Sequence, residues 1–170
     1  MRYKRDFYYY FLGHVNNSRG ALKSVENSEL WFVSLWKMKN VVLYPSPGMG
    51  HLISMVELGK LIVEHYPSLC ITILTITAPF DTGATGSYIS AVSATTPSIN
   101  FHHLPITPLP QDPSSYLSFE TISYELLTIH NPNVHQALQA ISGNSNVLAL
   151  VIDFFCTPAL TVAEQLNIPA

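Results

Sequence analysis

Cysteine is scarce. Only Cys70 and Cys156 occur in 170 residues, spaced neither as CxxC nor as a zinc-ligand set, which excludes a disulfide scaffold and predicts free thiols in a reducing compartment. Long hydrophobic runs are also missing. The longest apolar stretches, such as Val147 to Ile152, fall far short of the roughly 18 residues of a membrane-spanning helix. Basic residues are few, and the net charge is -3. That balance lacks the broad positive footprint of a phosphate-backbone binder, so nucleic acid is excluded as a partner. Charge of either sign makes up 11% of the chain, against 48% apolar residues. Such a composition excludes a disordered solvating segment and leaves a globular chain with room for about one domain.

The little positive charge there is lies almost wholly at one end. Seven of the eight basic residues (Arg2, Lys4, Arg5, Arg19, Lys23, Lys37 and Lys39) precede position 40, where they outnumber the acids by four. Beyond it, Lys60 stands alone against eight acids. Residues 1–37 hold no proline and nine aromatics, with no sustained helical or alternating period. The short, tyrosine-rich stretch Phe7 to Leu12 lacks the cleavage site of a secretory signal, and Asp6, Glu26 and Glu29 spoil the acid-poor pattern of an organellar one. Residues 1–37 are therefore expected to lie outside the fold, which starts near Met38. The sequon Asn16-Asn17-Ser18 falls in this leader and carries no weight.

From Met38 the chain alternates between two patterns. Asn40 to Tyr44, Cys70 to Thr77, Ser98 to His103 and Val147 to Ile152 read as strands, rich in β-branched residues or continuously apolar. His51 to Glu64 places Leu52, Met55, Val56, Gly59 and Ile62 on one helical face. Residues 80–97 read as a Ser/Thr/Gly-rich loop, and four prolines make 105–113 irregular. A helix is predicted from about Leu117 to Ile141, kinked or divided by Pro132, and another runs from Pro158 through Gln165. This order is that of an α/β, Rossmann-like, doubly wound parallel sheet. In the strand order 3-2-1-4 the ligand crevice opens between the carboxyl ends of the first and fourth strands. His51 follows the first strand and Asp153 ends the fourth, so the topology brings them to one spot.

A carboxylate on one imidazole nitrogen fixes the tautomer, orients the ring and offsets the charge once the other nitrogen takes a proton. A His-Asp pair with no nucleophile suits deprotonation of a substrate hydroxyl. The competing reading is that each residue merely caps a helix or turn. The turn Gly48-Met49-Gly50 begins a GxG, but Ile53 stands where GxGxxG needs its third glycine, and no acid ends the second strand, so a dinucleotide fold of the dehydrogenase kind is disfavoured. Neither GxxxxGK[ST] nor GxSxG occurs. His102 and His103 would face opposite sides of a strand, and His130 and His135 miss the i, i+4 spacing, so no metal site is expected.

Three segments carry a resemblance. MKNVVLYPSPGMGHLISMVELGK (Met38 to Lys60), SFETISYELL (Ser118 to Leu127) and ALVIDFFCTPALTVAEQLNIP (Ala149 to Pro169) resemble the N-terminal half of plant UDP-dependent glycosyltransferases of secondary metabolism. The resemblance implies the N-terminal, acceptor-side domain of a GT-B fold over residues 38–170. It further implies an inverting, cytoplasmic hexosyltransferase that moves a sugar, expected to be glucose, to a hydroxyl of a small phenolic or flavonoid. His51 of the PxxGH turn is then the general base, Asp153 its orienting and charge-stabilising partner, and Met49 and Gly50 adjoin the acceptor with His51. No cofactor is implied, because the UDP-sugar is a co-substrate. The family's C-terminal donor segment, with its HCGWNS stretch, has no counterpart here. The chain is thus expected to be a truncated acceptor domain that does not transfer sugar alone. The alternative is a non-catalytic fragment that binds small molecules or a partner.

Overall fold

The structure is a computed structural model that describes residues 37–77, 83–109, 112, 116 and 118–170. Four strands form a parallel sheet in the order β3-β2-β1-β4: β1 Lys39–Tyr44, β2 Leu69–Thr75, β3 Ile99–His103 and β4 Asn146–Ile152. Between them run α1 (Met49–His65), α2 (Ala84–Thr95), α3 (Phe119–Ile129) and α4 (Asn131–Asn144). A 3-10 turn, Phe154–Ala159, and the short α5, Leu160–Gln165, follow β4. Residues 37–170 pack as one unit. The expected leader lies outside the described residues except for Lys37, whose ammonium donates to the Ser142 carbonyl at 2.9 Å.

β1 sits centrally and is apolar from Val41 to Tyr44, because helices cover both of its sides. Alternation sends Val41 and Leu43 to one face, where they meet Leu52, Met55 and Val56 of α1, Ile71 and Ile73 of β2, and Ile89 and Val92 of α2. Val42 and Tyr44 turn to the other face, against Leu127, Val134, Leu138, Leu150 and Cys156. Each fully buried aliphatic contributes roughly 1.5 to 3 kcal/mol. Gly59 lets α1 lie close on the sheet: a Cβ there would stand 3.3 Å from Ile71 and 3.4 Å from both Ile99 and Leu43.

One segment departs from the sequence expectation. Residues 84–95 form α2 rather than loop, because Tyr88, Ile89 and Val92 share one helical stripe that packs on the core while the serines and threonines face outward. The helical stretch expected from Leu117 to Ile141 is divided beside Pro132, as that proline predicts, into α3 and α4. Their junction is His130, and Pro132 lies in the first turn of α4, where its missing N–H costs no hydrogen bond. The final helix likewise begins as a 3-10 turn that contains Pro158. No described helix is long and apolar enough to cross a membrane.

Candidate active site

The first strand ends in the buried loop Pro45-Ser46-Pro47, and the chain turns into α1 through Gly48. Gly48 has φ +123°, a backbone region that strains any residue with a side chain. A Cβ there would also lie 3.6 Å from Cδ2 of His51. Gly48 accepts the first hydrogen bond of the helix, from Leu52 N at 3.2 Å. His51 is the third residue of α1, so its ring stands in the first turn, above the carboxyl end of β1.

Asp153 arrives from the neighbouring strand. Its N–H donates to the Tyr44 carbonyl at 3.0 Å and so extends the β1–β4 ladder by one residue. Its two carboxylate oxygens do different jobs. Oδ1 accepts from the Phe154 N–H and caps the 3-10 turn, while Oδ2 lies 2.7 Å from Nδ1 of His51. The capping and pairing readings of Asp153 are therefore both true of its geometry. A carboxylate can only accept, so the proton of this bond sits on Nδ1 and the lone pair of Nε2 is left for another partner. The His51 side chain is 38% exposed and that of Asp153 15%. Phe155 meets the imidazole edge-on at a centroid distance of 6.2 Å, and it meets the exposed Phe154 in a second T-shaped contact at 5.3 Å. Met49 is half-buried and Gly50 exposed beside His51.

A polar layer lies beneath the pair. Ser46 Oγ is 3.7 Å from Cys156 Sγ, and both are buried. Burial, with a smaller contribution from Asp153, pushes the Cys156 thiol up to about 12 against the lowering pull of Ser46. Burial likewise raises the Tyr44 phenol well above its usual range. Neither group ionises near neutrality.

The other described histidines lie apart from this pair. His130 is buried, and its Nδ1–H donates to the Leu126 carbonyl at 2.7 Å, so it serves the junction of α3 and α4. His103, at the carboxyl end of β3, pairs through Nδ1 with Thr75 Oγ1 at 2.8 Å. Sequence reasoning missed this second pair, since its two halves are ordinary strand residues until the β2–β3 register sets them side by side. Among the described residues no three His, Cys, Asp or Glu side chains gather as a metal site would require.

The structure is a parallel α/β sheet with an imidazole and a carboxylate joined at its switch point, and the comparisons with known proteins match this architecture to the N-terminal domain of GT-B glycosyltransferase structures. No protein-family model matches the chain. UDP-glycosyltransferase 88B1 of Stevia rebaudiana is 50% identical over 129 residues, which cover 76% of this chain and 28% of that protein. An anthocyanidin 5,3-O-glucosyltransferase of a Rosa hybrid cultivar is 45% identical over 141 residues, with the same shares covered. Among solved structures, Medicago truncatula UGT71G1 complexed with UDP-glucose matches with a TM-score of 0.70 at 34% identity, over 77% of this chain and 28% of that one. The chain is a homologue of the plant UDP-glycosyltransferases, and the match is consistent with their N-terminal part. It spans about 28% of the length of these relatives.

Proposed function

We propose that this chain supplies the acceptor half of an inverting glycosyltransferase that moves a sugar, glucose in the first instance, from a UDP-sugar to a hydroxyl of a phenolic or flavonoid. The observation that carries the reading is the 2.7 Å contact between His51 Nδ1 and Asp153 Oδ2 at the carboxyl ends of adjacent strands. Nε2 of His51 takes the acceptor's hydroxyl proton as the oxygen attacks the anomeric carbon. The bond from that carbon to the diphosphate oxygen breaks, and UDP leaves with the electron pair. Attack opposite the leaving group inverts the centre. Asp153 keeps the proton on Nδ1, so that Nε2 is the basic nitrogen, and it offsets the imidazolium charge as the transfer proceeds.

Met49 and Gly50 flank His51 and form the near wall for the acceptor. Phe155 adds an apolar surface for its ring. The groups that hold the UDP-sugar belong to a C-terminal domain of the family type, so the 170-residue chain is expected to bind acceptor without turning it over. Proximity alone demands this, since the reacting atoms must be held roughly 3 to 3.5 Å apart.

The test uses this chain joined to a family-type C-terminal domain. His51→Ala should lower turnover by about 10² to 10⁴, the usual worth of a general base. An acidic phenol should suffer less than an alkyl alcohol, because a phenolate already present needs no base. Equal losses on the two acceptors would remove His51 from the proton transfer.

A further inference from the structure

The carboxyl edge of the sheet carries a second oriented imidazole, two strands away from the first. His103 is the last residue of β3 and Thr75 the last of β2, and the two are register partners. The Thr75 side chain is buried, and its hydroxyl meets Nδ1 of His103 at 2.8 Å. The same threonine's carbonyl accepts from Leu104 N at 2.8 Å, and Leu104 is itself buried. Side chain and main chain are thus both anchored at this point, and the ring is held in one orientation. His103 nevertheless remains exposed. The contrast with His130 is instructive. A histidine that serves only packing is buried and bonds within its own helix, as His130 does, whereas His103 offers Nε2 at the edge where α/β sheets take their ligands.

Alternation puts His103 on the same face as Ile99 and Phe101, the face that α1 covers and from which His51 rises. From the β1–β4 junction to β3 is two to three strand spacings, about 10 to 14 Å. That is the length of a tricyclic phenolic such as a flavone, and more than twice that of a single aromatic ring. Whichever partner donates in the Thr75–His103 bond, Nε2 is left as a donor or as an acceptor, and a phenolic hydroxyl can answer either.

We propose that His103, oriented by Thr75, is a second acceptor contact that binds a hydroxyl on the far ring of a multi-ring phenol while the near hydroxyl lies at His51. This rests on the acceptor-binding role given to the chain above. It makes His103 a determinant of acceptor length and regiochemistry: a hydroxyl at the opposite end of the molecule selects which oxygen reaches the base.

Binding to the 170-residue chain provides the test, with apigenin and catechol as the probes. Titration with apigenin should move the His103 ring resonances in a histidine side-chain nitrogen–proton correlation spectrum, and catechol should leave them in place. His103→Ala should weaken apigenin binding roughly three- to tenfold, the range of one hydrogen bond. His103→Gln, which restores a polar group of similar reach, should recover most of the loss and stay near the wild-type melting temperature, whereas His103→Ala, which leaves the buried Thr75 hydroxyl without its partner, should melt a few degrees lower. Unmoved His103 resonances on apigenin addition, or an unchanged apigenin affinity in His103→Ala, overturns the proposal. Turnover does not enter this readout. A His51→Ala protein that transfers sugar normally would sink the catalytic reading and leave this one standing, and a silent His103 would do the reverse.

Discussion

At the amino end of the sheet, Asn40 donates from its amide to Thr72 Oγ1 at 2.9 Å and to Ser145 Oγ at 3.4 Å, with Asn40 and Thr72 both buried. At the carboxyl end, His51 meets Asp153 and Thr75 meets His103, and in each pair the imidazole reaches solvent. The buried pair at the amino end is built from neutral groups, which can be buried at little cost once hydrogen-bonded. The two pairs that contain an imidazole stand at the carboxyl end, where water or a ligand can answer a change of charge. One sheet thus carries polar groups that tie β1 to β2 and to the end of α4, and polar groups available for chemistry. Exposure and ionisability, rather than polarity itself, tell them apart.

That division breaks most visibly at the carboxyl end. In the chain joined to a donor domain, Asp153→Asn should cut turnover by about 10² to 10⁴ while acceptor binding changes little, since the imidazolium is left uncompensated. Because the two residues serve one proton transfer, adding His51→Ala should cost little more. Steady-state kinetics of both single variants and the double variant decide it, and losses that multiply would show two independent roles.

Asn40→Ala probes the other end. It leaves the buried Thr72 hydroxyl without its donor, and thermal or urea unfolding should register about 1 to 2 kcal/mol of lost stability. Asn40 Oδ1 already lacks a partner, so only the donor side is forfeited. Acceptor binding should be unchanged, and a binding defect of comparable size would mean that the two ends are coupled. Smallest is Gly143→Ala, in the last turn of α4. A Cβ there meets nothing within 4 Å, and the gain in helix propensity should stabilise the chain by about 0.5 kcal/mol without touching binding. Unfolding curves that show a loss instead would mean that α4 needs this glycine to reach β4.

Why some of this could be read from sequence and some could not follows from the same contrast. The strands were legible because β1 and β2 are buried on both sides and so read as continuous β-branched runs. Once their order was set, the meeting of His51 with Asp153 followed from topology, although 102 positions separate them. α2 was hidden because one narrow apolar stripe suffices to dock it, and its serines and threonines resemble a loop. The division at His130 was half legible: Pro132 marked it, while the bond from His130 to the Leu126 carbonyl that shapes the junction leaves no trace in spacing. Thr75 and His103 depend on register, which no local pattern encodes. The leader up to position 36, with the formal sequon that carries no weight, lies outside the described residues, as does part of the proline-rich loop.

Cys156 offers one further use. Its sulfur lies in the floor beneath Asp153, protonated across the whole neutral range by burial and sealed from solvent. A thiol reacts with alkylating agents as its thiolate, so in the closed domain this one is silent. Were the 3-10 turn to lift from β1, the sulfur would meet water and return toward ordinary reactivity. Mass-spectrometric labelling at this single atom then works as a clock for opening of the acceptor floor. A bound phenol that clamps the floor should slow that clock, so occupancy could be measured without a donor sugar and without product.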